Sequence, residues 1–379
     1  MGKGVSMKIA LVHDYLTQKG GAERVFELLC HAFPNADIFT SLYEPQETIN
    51  LGNRLVYTTA LQNIPGAAKN FRLLAPFYYR AFRALNLQEY DLILSSSTSF
   101  AKAVRKRSGA KHICFCHNVT RFLWDTETYL DKYQKYRAFY PFLEQVFRAM
   151  RKADHKYAQE PDVYIANSTE VANRIEKIYN QNAIVVNYPI DTSKFFFSSS
   201  KEDYYLVASR FLGYKRIDIT IKAFNRLGLP LKIIGSGPEE EALKSLAKEN
   251  IQFLGFVSDE QRQHLMANAQ AVVVSALEDY GLVPIEANAC GTPVIAYGAG
   301  GVLDTQIPGF TGLFFEEQTS ESLHKTLLKF PEIQWEYAKI REHAIKNFSE
   351  VAFFNKLEPI FEKICGQRII TQVSQSKVA

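Results

Sequence analysis

Glu278-Asp279-Tyr280-Gly281-Leu282-Val283-Pro284-Ile285-Glu286 is the stretch whose reading decides the fold. Directly before it, Ala271-Val272-Val273-Val274 is a short apolar run rich in β-branched residues, which reads as a buried strand of a parallel sheet. Pro284 falls where a helix accepts proline, in the first turn, whose amides lack intrahelical partners. Strand, glycine-bearing loop and helix start thus follow one another within about a dozen residues. The loop backbone and helix N-terminus offer unpaired N–H groups and partial positive charge, which suits an anion. Two carboxylates frame that place, Glu278 before the loop and Glu286, expected in the helix's first turn. A ligand carrying both phosphate and sugar hydroxyls fits the frame. Taken alone, the acids read equally well as residues favoured by the helix dipole.

The chain has 379 residues, more than one hydrophobic core usually serves, so two domains are expected. A hydrophobic content of 47% with 22% charged residues belongs to an ordinary soluble globular protein. Cys30, Cys114, Cys116, Cys290 and Cys365 form no C-x-x-C pair, so they read as buried thiols in a reducing compartment. No apolar run approaches the roughly 18 residues of a membrane span. Met1-Gly2-Lys3-Gly4-Val5-Ser6 fits a loose myristoylation pattern, but Met7 stands directly before the first strand and is itself a candidate start. Charge is uneven: residues 1–190 carry 24 Lys/Arg against 17 Asp/Glu, net +7, and residues 191–379 carry 20 against 23, net −3. A basic first half points to an anionic surface partner.

Lys8–His13 reads as the first strand. Gly20-Gly21 then opens a helix with Val25, Leu28, Leu29 and Ala32 on one face, and such a pair lets backbone approach a ligand closely. His13 is read as structural. No acidic residue occurs between Glu47 and Glu89, and residues 66–83 mix aromatics with four cations. Two readings stay open there: an interfacial helix on anionic lipid, or a cationic helix packing its aromatics on its own sheet. Pro76 rules out one unbroken helix. Asp91–Ser95, His112–His117 and Val163–Ser168 read as further strands, the last closing the first sheet, with Asn167-Ser168 capping the next helix. His117 ends its strand, where open α/β sheets place ligands. Residues 126–160 read as helices above the cleft, and residues 183–200 as the passage between domains.

The second domain starts with the strand Tyr204–Ala208. Arg210 and Lys215 follow where a loop leaves its carboxyl end, so both cations can reach one diphosphate. Ile234-Gly235-Ser236-Gly237-Pro238 is half a dinucleotide fingerprint lacking its third glycine, which argues against NAD. Gly291–Ala296 and Gly298–Gly301 supply another strand and a permissive loop, and Glu239–Glu241 a solvated helix start. Residues 353–364 form an amphipathic helix, and the last dozen residues a disordered tail.

Glu-x7-Glu around an aromatic-Gly loop, with Arg-x4-Lys upstream, resembles the retaining, family 4 (group 1) glycosyltransferases of GT-B fold. Cys116-His117-Asn118-Val119-Thr120-Arg121-Phe122-Leu123-Trp124-Asp125 is similar to a string of their mannosyltransferase-like members, though Asn118-Val119 replaces the commoner Thr-Pro. The resemblance spans nearly the whole chain and is most specific from Arg210 to Glu286. It implies an α/β fold of two doubly wound, Rossmann-like parallel-sheet domains facing a central cleft. Residues 1–187 would bind the acceptor, residues 188–349 the nucleotide-sugar, and a helix over 350–366 would cross back onto the first domain.

The implied catalytic set is His117, Arg210, Lys215 and Glu278. Arg210 and Lys215 would neutralise the departing diphosphate, Glu278 would hold sugar hydroxyls, and His117 would sit near the anomeric centre and the 6-hydroxyl. The implied donor contacts are Gly20, Gly21, Gly235, Gly237, Val257, Tyr280, Gly281, Leu282 and Val283, with Glu286 on the ribose. The resemblance implies transfer of a hexose, best mannose from GDP-mannose, alternatively from UDP-glucose or a related donor, to a glycan or lipid-linked acceptor. The implied place is cytoplasmic, or peripheral at the inner membrane face. No metal, cofactor or nucleic acid is expected, since no Asp-x-Asp occurs. The rivals are a glycoside hydrolase pairing Glu278 with Glu286 and a non-catalytic sugar-nucleotide binder.

Overall fold

The computed structural model describes residues 7–125 and 140–370. The chain divides into two compact units, Met1–Val186 with Phe354–Ala379, and Asn187–Phe353. In the first unit, β1 (Ile9–His13) leads to α1 (Gly21–Ala32), β2 (Asp37–Thr40) and β3 (Val56–Thr58). A 3-10 turn over Phe71–Phe77 and the short α2 (Tyr78–Arg83) precede β4 (Leu92–Ser97) and β5 (Lys111–Cys116). Then come α3 (Arg121–Trp124), α4 (Tyr140–Tyr157), β6 (Val163–Ala166), α5 (Thr169–Tyr179) and β7 (Ala183–Val185). All seven strands are parallel in the order β3-β2-β1-β4-β5-β6-β7. The order reverses between β1 and β4, so the loops after those strands diverge to opposite faces and leave a crevice at their carboxyl ends.

The second unit starts its sheet with β8 (Tyr205–Ala208), followed by α6 (Ile217–Leu227), β9 (Leu231–Ile234), α7 (Glu240–Leu246), β10 (Ile251–Gly255) and α8 (Asp259–Asn268). It continues through β11 (Val272–Val274), α9 (Leu282–Ala289), β12 (Val294–Tyr297), β13 (Gly312–Phe315), α10 (Ser320–Lys329) and α11 (Tyr337–Phe348). Its six parallel strands run β10-β9-β8-β11-β12-β13, with the switch between β8 and β11. The last helix, α12 (Glu350–Cys365), passes from the second unit to the first, where Phe361 meets Phe33 and Phe115 edge-on.

Both sheets are doubly wound and covered by helices, which is why Val272–Val274 and Leu92–Ser97 are buried along their whole length. Expectation and structure part at the first sheet's edge. Ala183–Val185, read as linker, is a seventh strand paired with β6, so Val163–Ala166 does not close the sheet. Its edge position leaves Ile184 and Val185 exposed and gives it no buried pattern to read. Ser168 caps α5 as expected, accepting from Val171 N. The opening residues 1–6, most of the expected helical stretch before 140 and the tail beyond 370 lie outside the described residues. Among those described, no helix is long and apolar enough to cross a membrane.

Candidate active site

At the second unit's switch point the loops after β8 and β11 enclose a cavity of about 220 Å³, lined by Ser209, Arg210, Lys215, Thr220, Ser275, Glu278 and Val283 among others. Lys215 Nζ donates to Glu278 Oε1 at 2.6 Å, and both side chains are largely shielded from solvent. Arg210 is exposed at the rim, 3.4 Å from the Tyr214 hydroxyl. The expected cations and the first glutamate therefore meet in one concave, charged place. Glu278's backbone is pinned by the loop before β13: Gly301 N donates to Glu278 O at 2.8 Å. Thr220 Oγ1 and Ser275 Oγ, 2.5 Å apart, tie α6 to the end of β11 beneath the cavity.

Gly281 is the N-cap of α9, so Leu282 and Val283 are its first two residues and Pro284 its third. Glu286 is consequently the fifth helical residue, one turn further in than expected. The glycine cap, and no earlier residue, starts the helix. Glu286 is only 3% exposed and accepts a hydrogen bond from Arg262 Nη1 on α8. Arg262 escaped the sequence reading because nothing in a helix surface residue announces a partner 24 positions away. Tyr280 is buried, and its hydroxyl donates to Tyr188 O at 2.6 Å within the same unit.

Gly235 takes φ 132° at the end of β9, and a Cβ there would lie 1.8 Å from Ser209 O. Gly237 likewise abuts the backbone of Phe211. These glycines let the loop after β9 close on the Arg210 loop, a packing reason for a pair read as ligand contacts. Val257 is half-buried just beyond β10 and precedes Ser258, which caps α8.

In the first unit, His117 directly follows β5 and is 8% exposed. Burial, assisted by the neighbouring His13, pushes its imidazole down to about 3, so it is neutral near pH 7. Ser96 Oγ on β4 lies 2.7 Å from His117 Nε2 and 3.0 Å from His13 Nδ1. His13 stacks on Phe26, and its Nε2 is 3.6 Å from Glu23 Oε1. The segment after His117 hangs from Asp154 of α4, which accepts from Thr120 Oγ1 at 2.8 Å and Trp124 Nε1 at 2.6 Å and pairs with Lys102 at 2.7 Å. The crevice between β1 and β4 is occupied by Asp14. Its carboxylate accepts from the backbone N–H groups of Thr98, Ser99, Phe100 and Ala101.

Gly20 and Gly21 stand at the start of α1, and a Cβ on Gly20 would come within 2.6 Å of Glu23 Oε2. Gly20 thus makes room for the Glu23 carboxylate, which the sequence reading did not single out. Residues 66–83 divide between their two readings. Tyr78, Tyr79 and Phe82 are core residues, and Arg83 is bonded to Glu160. Leu73 (76%) and Phe77 (58%) are exposed, as are Lys69, Arg72 and Arg80.

The family description "Glycosyltransferase Family 4" matches residues 19–194, and "Glycosyl transferases group 1" matches residues 190–347. The chain belongs to the GT-B glycosyltransferases. A 180-residue stretch is 27% identical to an uncharacterised glycosyltransferase of Methanocaldococcus jannaschii, covering 46% of this chain and 51% of that protein. Another, of 137 residues, is 33% identical to a GDP-mannose-dependent phosphatidylinositol monomannoside mannosyltransferase of Corynebacterium glutamicum, covering 32% of this chain and 36% of that one. The matched stretches thus span about half or less of these curated relatives. Among solved structures, Anabaena HepE in complex with UDP superposes with a TM-score of 0.67 at 18% identity, covering 94% of this chain and all of that one. The lipopolysaccharide outer core galactosyltransferase WaaB superposes at 0.70 with 20% identity over 94% and 100% of the two chains. At such identities they establish the glycosyltransferase's fold. Among the described residues of the glycosyltransferase, no three His, Cys, Asp or Glu cluster as metal ligands.

Proposed function

We propose that this glycosyltransferase moves a hexose, with retention of configuration, from a nucleotide-sugar to a glycan or lipid-linked acceptor. The observation that carries the reading is the cavity of the second unit, where Arg210, Lys215 and Glu278 stand together at the switch point. Lys215 and Arg210 stabilise the diphosphate as the glycosidic bond breaks, the largest electrostatic demand of the reaction. Glu278 accepts from sugar hydroxyls, and the amides of the 280–283 loop add donors at the start of α9. Glu286 holds the ribose, oriented by Arg262, and His117 of the first unit takes the sugar-facing role. The acceptor hydroxyl attacks from the leaving-group face, with the leaving phosphate as base.

Mannose from GDP-mannose is the favoured donor. The 116–125 string supports it, as does the GDP-mannose dependence of the C. glutamicum relative. A UDP-sugar is the second reading, supported by the UDP bound in the Anabaena structure. All five cysteines are free thiols, which fits the cytoplasm, and the exposed cations and apolar residues of 66–83 fit the inner membrane face. A hydrolase would set Glu278 and Glu286 on one bond as a pair. Here each is bonded to its own cation, Lys215 and Arg262.

A donor panel scored by thermal shift tests the reading, because a ligand at a hundred times its Kd adds about 2.7 kcal/mol to the folded state. GDP-mannose is expected to raise the melting temperature most, and the transferred mannose to keep the donor's anomeric configuration. A larger shift with UDP-glucose would move the assignment to the second donor. No shift with any nucleotide-sugar, together with hydrolysis of glycosides, would overturn it.

A further inference from the structure

Thr220, in the first turn of α6, and Ser275, directly after β11, both line the second unit's cavity and are 1% and 4% exposed. We propose that this hydroxyl pair is a diphosphate-binding element, which presents one O–H from the cavity floor to a phosphate oxygen of the nucleotide-sugar. The inference rests on the cavity holding the diphosphate, as read above.

Two hydroxyls carry two protons between them, and neither group titrates near neutral pH. Thr220 Oγ1 and Ser275 Oγ are 2.5 Å apart, so one proton fills the bond that joins them. The other is left over. A helical threonine can give its proton to the carbonyl one turn back, as Thr326 does to Ser322 O at 3.2 Å. Thr220 makes no such bond, and among the described residues neither hydroxyl has a hydrogen-bond partner besides the other. The other acceptor side chains lining the cavity are engaged: Ser209 Oγ with Arg210 O at 3.3 Å, and Glu278 with Lys215 Nζ at 2.6 Å. Val207, Ile217, Val273 and Val283 make the remaining wall largely apolar. A buried O–H without an acceptor is costly, and the cavity is the space from which an acceptor can come. Its neighbours say which kind. Arg210 and Lys215 are cations, and the start of α6 carries partial positive charge. A phosphate oxygen, which is an acceptor and negative, suits all of them together. The pair can also reverse its internal bond, so either oxygen can supply the proton.

Isothermal titration of the full chain with GDP and with UDP tests this. Thr220→Val and Ser275→Ala each break the bond between the hydroxyls yet leave one proton for the phosphate, so each should stay within about threefold of the parent's affinity. The double variant has no proton to offer and should bind the better nucleotide about tenfold more weakly or worse, the worth of a hydrogen bond to a charged group. Thr220→Ala with Ser275→Ala also lacks both hydroxyls and puts a better helix former at 220, so it serves where valine does not pack. Melting temperatures follow the tie between α6 and β11, which is already lost in either single variant, whereas affinity should fall only in the doubles. Doubles that bind as the parent does overturn the proposal. So do single variants that lose as much affinity as the doubles, because the tie alone then accounts for the effect. A parent that binds neither nucleotide brings down the reading of the cavity and this inference with it, an outcome distinct from the other two.

Discussion

In the proposed reaction Lys215 and Glu278 do opposite things to a bound donor although they touch each other at 2.6 Å. Lys215 matches diphosphate charge that grows as the bond breaks, so Lys215→Ala should lower kcat by roughly a hundredfold or more, with a smaller loss of donor affinity. Glu278→Gln keeps the shape but loses charge-assisted acceptance from sugar hydroxyls. Turnover should fall while binding of the nucleoside diphosphate alone stays near the parent's. Glu286→Gln should do the reverse. Titrating each variant with nucleotide and then assaying transfer separates these roles. If both glutamine variants lose the reaction and neither changes nucleotide affinity, the assignments are wrong. A second residue-scale prediction concerns acid. Burial pushes His112 and His117 down to about 3, against roughly 6.5 in an unfolded chain. Below that value the unfolded state takes up protons the folded imidazoles refuse. Stability present above pH 6.5 is thus lost as pH falls toward 3, by about 1.4 kcal/mol per pH unit for each histidine. Urea unfolding at pH 7 and pH 5 should show a shallower loss in His112→Gln than in the parent, by about 2 kcal/mol. Equal losses would refute it.

At the scale of elements, residues 66–83 show how one stretch serves two demands. Its buried aromatics complete the first unit's core, and its outer side presents Leu73 and Phe77 beside Lys69, Arg72 and Arg80. Arg83 is spent on Glu160 and Ala103 O, so it is no lipid contact. Exchanging Lys69, Arg72 and Arg80 for Gln should weaken binding to vesicles rich in phosphatidylserine, as should added salt in the parent. A parent indifferent to such vesicles at low salt would leave these cations as ordinary solvated charge. The same division governs what could be read in advance. Val272–Val274 and the strand before His117 were legible because burial on both faces writes an apolar run. Val56–Thr58, Ala183–Val185 and Gly312–Phe315 were not, because each lies at the edge of its sheet, and neither was Asp37–Thr40, whose four residues mix polar with apolar. Arg210, Lys215 and Glu278 were legible as a site because each follows a strand that must point its loop at the switch point. His13 and Ser96 lie 83 positions apart, and only the parallel pairing of β1 with β4 brings them together.

For the whole molecule, the two family descriptions and the two compact units share nearly the same dividing point, one parallel sheet to each. Net charge is split as well, with the positive half first and the slightly negative half carrying Arg210 and Lys215. A nucleotide-sugar brings two phosphate charges into the second unit, and something must neutralise them as the bond breaks. A divalent ion would need carboxylate or carbonyl oxygens of its own beside the phosphates. The sequence has no Asp-x-Asp, and among the described residues the carboxylate lining the cavity is that of Glu278, bonded to Lys215. In the proposed reaction Arg210 and Lys215 take the ion's work. Transfer should therefore proceed at the parent's rate in excess EDTA and gain nothing from added Mg²⁺ or Mn²⁺, whereas Arg210→Ala with Lys215→Ala should abolish it whether or not metal is supplied. Activity lost to EDTA and restored by Mn²⁺ would show that a metal ion carries the phosphate charge and that the two cations only assist.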